Sequence, residues 1–248
     1  MKIASWNVNG IRARESQFCD WQKQEQPDVI CLQEIKASPL QIPPSIMDLP
    51  DYWCYWYGLG GYSGVALHLK KSTFPDKPNF THPSFDLETR IVTAQSGNQV
   101  FASVYVPNGG KDFAAKMRFL EALRTYVQEQ HAAGINLVIC GDINVALTDM
   151  DVHPKERKPK IIGQLPEERK ILQDMLTAGL ADVLRRLHPE DDAMFTWWPP
   201  WRNMRQRNIG WRIDYILATE SWMQKVKSCV VHAAIGTSDH APLVAEFT

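Results

Sequence analysis

The stretch Thr237-Ser238-Asp239-His240 lies between two apolar runs, VVHAAI and PLVAEF, where a packed strand has little use for an acid beside an imidazole. Other apolar runs end in the same way. SWNVNG carries Asn7 and Asn9, VICLQE ends in Gln33 and Glu34, and VYVPNGG supplies Tyr105 and Asn108. VICGDIN ends in Asp142 and Asn144, and WRID places Asp214 where an apolar run begins. Taken singly, an Asn or Asp after a strand is most often a turn former, and a histidine is often a satisfied core residue. Carboxylates and amides gathered at the ends of many strands instead suit a site mounted on a sheet scaffold. Their types select a chemistry. Oxygen ligands without a Cys/His cluster suit Mg2+ or Mn2+ better than zinc. Amides hold phosphate oxygens without adding repulsion, and an acid near a histidine fixes its tautomer and raises its basicity. These parts fit metal-assisted hydrolysis of a phosphate ester. The sequence has no Walker lysine loop, G-x-S-x-G elbow, H-E-x-x-H helix or GxGxxG turn.

The elements that must position these residues are short, β-branched apolar runs bounded by Gly, Pro, Asn and Asp. Strands are expected at 2–8, 28–34, 63–69, 90–95, 100–106, 136–142, 212–218, 229–235 and 242–247. A helix is expected over 15–25. DFAAKMRFLEALRTYVQEQHAAG places Phe113, Met117, Leu120, Leu123 and Val127 on one helical face, with Gly134 closing it. LPEERKILQDMLTAGLADVL opens with Pro166 and two glutamates and carries Leu172, Met175, Leu176 and Leu180, a third helical pattern. Many strands with a few interposed helices suggest packed sheets covered by helices, an α/β fold. HPKERKPKIIGQ (153–164) reads as a basic loop within the fold, so residues 1–248 are read as one domain.

A chain of 248 residues, 44% hydrophobic and 22% charged, can bury a two-layer core without disulfide staples. The five cysteines form no C-x-x-C pair, and Cys31 and Cys140 fall inside strand runs; they read as reduced core residues. MKIASWNV is already a strand pattern rather than a signal peptide, and no apolar run approaches the ~20 residues of a membrane span. A cytoplasmic, monomeric protein is the expectation. With 27 basic and 28 acidic residues the net charge is −1, which argues against an undiscriminating nucleic-acid coat but leaves room for a local basic face.

SWNVNGIRA, PDVICLQEIK, GYSGVALHLK, VYVPNGG, GDINV, LPEER, GWRIDYIL and SDHAPL resemble, in order, motifs of the exonuclease III family of apurinic/apyrimidinic (AP) endonucleases, within the endonuclease/exonuclease/phosphatase superfamily. The resemblance runs from residue 2 to residue 247. It implies a four-layer α/β sandwich, two packed mixed β-sheets flanked by helices, with the site at one end. It makes Glu34 the principal metal ligand, with Asn7 beside it and Asp239 in support, for Mg2+ with Mn2+ able to substitute. Asp142 would orient and activate the attacking water, and Asn144 would hold phosphate and that water. His240 would stabilise the pentacovalent phosphate, with Asp214 as its orienting partner. Tyr105 would meet the phosphate or leaving oxygen, and Asn108 the phosphate. The implied product is a 3′-hydroxyl primer end, and the same site in this family often trims 3′ blocking groups or digests from 3′ ends.

FTWWPPWRNMRQRNIGWRIDY (195–215) interleaves Trp197, Trp198, Trp201 and Trp211 with Arg202, Arg205, Arg207 and Arg212. Aromatic faces beside cations suit unstacked sugars, bases and a phosphate backbone. By resemblance, Trp197, Trp211 and Ile213 would line a pocket for a flipped-out abasic sugar, flipping being cheapest where the base is already gone. Asn9, Arg12, Tyr62, Arg90 and Lys111 would contact double-stranded DNA, the expected partner. Two departures stand out. Ile35 replaces a threonine in QEIK, and Ile161, Ile162 and Gln164 stand where many relatives have an Asn and an aromatic bordering the sugar pocket. The second bears on the balance between AP cleavage and 3′-end processing, and a 3′-end specialist is the alternative. A small-molecule or lipid phosphatase or a DNase I-like nuclease would keep Glu34, Asp142, Asn144, Asp214 and His240. A non-catalytic damage-binding module would need a lost ligand or histidine, and none is lost.

Overall fold

The computed structural model describes residues 1–158 and 160–248. Among the described residues, twelve strands form two six-stranded sheets. They are β1 (Lys2–Asn7), β2 (Val29–Gln33), β3 (Tyr52–Tyr57), β4 (Val65–Lys70), β5 (Asn79–Thr81), β6 (Ile91–Ser96), β7 (Gln99–Tyr105), β8 (Asn136–Asp142), β9 (Leu180–Asp182), β10 (Asp214–Thr219), β11 (Val226–Val231) and β12 (Leu243–Phe247). One sheet runs β11-β12-β1-β2-β4-β3 and the other β5-β6-β7-β8-β10-β9. Each has one parallel pair, β1/β2 and β7/β8, and is otherwise antiparallel. A parallel pair needs a crossover, supplied here by helices α1 (Glu15–Glu25) and α3 (Phe113–Ala132); α2 (Pro44–Met47), α4 (Pro166–Thr177), α5 (Val183–Leu187) and α6 (Glu220–Met223) complete the shell.

Strand alternation divides the apolar residues into layers. Ile3, Cys31, Phe101, Val138, Cys140, Ile216 and Leu243 pack between the sheets. Leu137, Ile139 and Val104 pack outward with Leu120, Leu123 and Val127 of α3 and Leu172 and Met175 of α4. Ala4, Trp6 and Leu32 pack outward with Phe18 and Trp21 of α1. The order is helix, sheet, sheet, helix, the expected four layers.

The same alternation turns polar at the C-terminal rungs of the parallel strands. Ile3-Ser5-Asn7, Val29-Cys31-Gln33, Phe101-Ser103-Tyr105 and Val138-Cys140-Asp142 each keep one face while passing from apolar to polar. The last rungs are in register: Asn7 pairs with Gln33, Tyr105 with Asp142, and Asp142 with Asp214. Gln33 Nε2 reaches across the sheets to donate to Ser103 Oγ, one layer below, at 3.1 Å, and Ser103 Oγ donates to the Leu32 carbonyl at 3.0 Å. Gly141 is required in β8: an added Cβ would stand 1.9 Å from the Val104 carbonyl oxygen of β7.

Three details depart from the sequence expectation. The helix expected to carry Leu180 stops at Thr177, because Gly179 adopts φ +115°; Leu180–Asp182 is a strand, and Asp182 then caps α5 by accepting from Arg185 N. The run at 229–235 is a strand only to Val231, where His232 N donates to the Pro242 carbonyl and the chain turns. β3, β5 and β9 were not expected. β3 is the edge strand YWCYWY, whose half-buried aromatics show no clear alternation.

His68 of β4 is fully buried between Phe18 and Trp56, and neither ring nitrogen has a hydrogen-bond partner. Burial pushes its pKa down to about 3. The folded chain therefore keeps this imidazole neutral while the unfolded chain takes up a proton below about pH 6.5. The stability contribution is complete above that pH and is lost as pH falls toward 3, at about 1.4 kcal/mol per unit. In urea unfolding, His68→Leu is expected to lose about 2 kcal/mol less than wild type between pH 7.5 and pH 5. Parallel losses in the two proteins would show that His68 is protonated in the fold.

Candidate active site

Asn7, Asp142 and Asp214 reach the site simply by ending or starting strands on the inner face. Glu34 arrives differently. It follows β2 in the left-handed conformation, φ +49°, held by Gly10 N donating to its carbonyl at 2.7 Å. Asn144 (φ +55°) and Asn9 (φ +45°) are also left-handed. Such backbone costs about 1–3 kcal/mol per residue and persists only where neighbours impose it.

The carboxylates are bridged by neutral and cationic donors. Asn7 Nδ2 donates at 2.9 Å both to Glu34 Oε1 and to Asp142 Oδ2, tying one sheet to the other. Its amide oxygen accepts from Asn9 N at 3.0 Å. Lys36 lies 2.8 Å from Glu34 Oε2 and also donates to Asn9 Oδ1. Asp239 accepts from Asn9 Nδ2 at 2.7 Å and from Trp197 Nε1 at 3.0 Å. His240 Nδ1 lies 2.9 Å from Asp214 Oδ2, which turns Nε2 to within 3.8 Å of Asp142 Oδ2. Thr196 Oγ1 accepts from Ile213 N and Asp214 N, and Ser238 Oγ donates to the Asn7 carbonyl while accepting from His240 N.

Protonation follows from these neighbours. Burial alone would deprotonate His240, but Asp214 and then Asp142 outweigh it and raise its pKa to about 10. Burial, opposed by His240 and reinforced by the charges of Asp214 and Glu34, raises Asp142 to about 8. Glu34 is only partly exposed, yet hydrogen bonds from Asn7 and Lys36 and the His240 charge outweigh the burial and bring its pKa below the ordinary value. Burial beside Glu34 and Asp142 keeps the Tyr105 phenol protonated, an O–H donor at any physiological pH.

The residues fit a hard divalent cation. Glu34, Asp142 and His240 offer ligand atoms that all lie within 4.8 Å of one another. An imidazolium is not a ligand, so the two carboxylates are the oxygen donors on offer, and with its raised pKa Asp142 would give up a proton to a bound cation. In this arrangement Asn7 and Asp239 are engaged through hydrogen bonds alongside.

A cavity of about 260 Å³ opens on this group. Tyr105, Asn108, Asp142, Asn144 and His240 form its polar side, and Ile162, Trp197, Trp211 and Ile213 its apolar wall. Trp197 and Trp211 meet edge to face at 5.7 Å. Tyr62 and Lys111 gather beside the cavity around Arg90, whose guanidinium lies 4.9 Å over the Tyr105 ring and donates to Tyr62 Oη at 2.7 Å. Arg12 does not join them; it is exposed on the turn Ile11–Arg14.

The interleaved arginines divide. Arg212 is fully buried, pairs with Asp151 at 2.7 Å and Asp182 at 2.6 Å, and does not line the cavity. Arg205 caps the carbonyls of Ala233, Ile235 and Ser238 and stacks on buried Trp198. Arg202 and Arg207 are exposed beside Trp201, whose exposure is 57%. Of residues 161–164, only Ile162 lines the cavity; Gln164 is buried and bonds the loop to itself at Lys158 N and the Glu156 carbonyl. Lys36, Thr196 and Ser238 were not anticipated as site residues. Lys36 is within QEIK and its spacing from Glu34 was readable; the hydroxyl contacts leave no sequence signal.

The Endonuclease/Exonuclease/phosphatase family profile matches residues 4–240. The chain is 33% identical to the exodeoxyribonuclease of Bacillus subtilis, over 98% of both chains. It is 34% identical to Recombination repair protein 1 of Drosophila melanogaster, spanning 37% of that longer protein. Among solved structures, an AP endonuclease from Archaeoglobus fulgidus superposes with TM-score 0.89 at 30% identity, covering 100% of this chain and 99% of that one. A 3′ phosphatase from Neisseria bound to a product DNA hairpin superposes with TM-score 0.90 at 31% identity, with the same coverage. The match over nearly the whole chain, on a nuclease fold with its acid–histidine cluster at the sheet ends, makes this protein a member of the endonuclease/exonuclease/phosphatase family and, within it, a hydrolytic nuclease of the exonuclease III and AP endonuclease group.

Proposed function

We propose that the chain is a Mg2+-dependent DNA-repair phosphodiesterase that incises duplex DNA 5′ to abasic sites. The same site would remove 3′ blocking groups and digest from 3′ ends. The observation that carries this reading is the two-sided cavity: phosphate-binding groups face an aromatic and aliphatic wall of a size suited to a sugar without its base.

Each residue then has a task. The His240 imidazolium, oriented by Asp214, donates from Nε2 to a non-bridging phosphate oxygen. Asp142 holds the attacking water and takes its proton, with Asn144 steadying both water and phosphate. Tyr105 donates to the phosphate or leaving oxygen and Asn108 to the phosphate. Glu34, flanked by Asn7 and Asp239, would hold the Mg2+, which when bound offsets charge on the phosphate oxygens. Asn9, Tyr62, Arg90 and Lys111 would clamp the backbone, with Arg12 reaching DNA further along.

A 3′-end specialist is the second reading, favoured by the likeness to the Neisseria 3′ phosphatase and by Ile162 in the cavity wall. A gel assay on two duplexes, one with an internal abasic analogue and one with a nick ending in 3′-phosphate, separates the two. Incision at the abasic site with Mg2+ and none with EDTA is expected; release of 3′-phosphate alone would establish the specialist. His240→Ala is expected to lower turnover of the abasic duplex by about 10²–10³ while leaving DNA affinity in fluorescence anisotropy unchanged. Wild-type turnover by that variant would remove His240 from the chemistry.

A further inference from the structure

Beneath the cavity lies an ion pair that none of the roles above uses. Lys116 of α3 and Glu168 of α4 are both 0% exposed and in direct contact. Isolating two charges from water is expensive, and an apolar pair of the same volume often does as well for stability. What such a pair gives instead is a fixed register between the elements it joins.

The bonds made by this pair lead to the cavity. Lys116 Nζ donates to the Asn144 backbone carbonyl at 2.7 Å. Glu168 Oε2 accepts from Gly163 N at 2.7 Å and from Leu165 N at 3.1 Å. Gly163 packs against the Trp211 ring, where an added Cβ would lie 3.0 Å from Cζ3, and its carbonyl accepts from Ala146 N at 2.8 Å. The Lys116 stem also carries the turn after Asn108: a Cβ on Gly109 would lie 2.8 Å from Lys116 Cδ and 3.1 Å from Ile162 Cγ2. One buried pair thus touches the supports of Asn108, Asn144, Ile162 and Trp211, both sides of the cavity.

We propose that Lys116, together with Glu168, is a positioning residue: it holds the left-handed Asn144 and the Gly163 turn in register so that the phosphate-binding amide and the apolar wall face each other. This rests on the phosphodiesterase reading. Asn144 donates from Nδ2 to the Val106 carbonyl and from its backbone N to Asp142 Oδ1. Releasing its carbonyl frees the remaining end of the residue and, through it, the Asp142 carboxylate.

Lys116→Met alone strands a buried carboxylate and is expected to unfold more readily. The test therefore uses Lys116→Met/Glu168→Gln, which is neutral, close in volume and retains an acceptor for Gly163 N and Leu165 N. On the abasic duplex this double variant is expected to show kcat lowered about 10- to 100-fold, as for other groups that orient a catalytic residue. DNA affinity should be unchanged and the melting temperature close to wild type. Amide exchange at Asn144 and Ala146 should be faster than in wild type. Wild-type kcat, a parallel loss of kcat and affinity, or unchanged exchange would overturn the proposal. If the wild-type protein leaves the abasic duplex intact, the abasic-site reading falls by itself, and exchange at Asn144 and Ala146 still decides whether Lys116 positions that loop.

Discussion

Glu34, Asp142, Asp214 and Asp239 converge at one end of two packed sheets, and keeping these carboxylates together out of bulk water is the constraint that shapes the site. Like charges in a low-dielectric place repel strongly. The chain answers with donors placed between them. The Asn7 amide spans Glu34 and Asp142, His240 lies between Asp214 and Asp142, Asn9 and Trp197 hold Asp239, and Lys36 covers Glu34. Asp142 accepts from Asn7 Nδ2 and Asn144 N, yet burial beside Asp214 and Glu34 still raises its pKa. A group poised in this way is suited to exchange protons with a water held beside it.

The rest of the fold reads as support for that arrangement. The parallel pairs β1/β2 and β7/β8 end at the same level, so their last inward residues meet across the sandwich. The Gln33–Ser103 bridge ties the sheets from that level to one rung lower. On the far side of β10, Arg212 with Asp151, Asp182 and Arg185 anchors the strand start that carries Trp211, Ile213 and Asp214. The arginine faces away from the cavity, while Trp211 and Ile213 on either side of it line the cavity wall. Buried charge is thus used twice around the site, once in the carboxylate cluster and once in the anchors behind it.

Much of this was legible in the sequence. Alternating apolar runs that end in Asn, Glu, Tyr and Asp identify both the strands and the end of the sheet that carries the site, because period-two alternation fixes which face the last residue shares. The motif order then assigns the family. What could not be read depends on long-range contact or on local backbone conformation. The left-handed turns at Glu34 and Asn144 are not glycines, so nothing marks them. The split at Gly179 is hidden because Leu180 continues the helical apolar pattern. In the Trp/Arg stretch, composition alone cannot separate Arg212, buried against two aspartates, from exposed Arg202. Lys116 and Glu168 are ordinary surface types on amphipathic helices; only the packing of α3 on α4 buries them.

The most direct test of the central claim is binding of Mg2+ to the protein without DNA, followed by titration calorimetry near neutral pH in buffers of different ionisation enthalpy. If the carboxylate cluster is built around a divalent cation, the wild-type protein binds Mg2+ saturably and releases protons as Asp142 gives up its share, and Glu34→Gln binds about tenfold or more weakly. Equal binding by the two proteins, or none by either, would contradict the account.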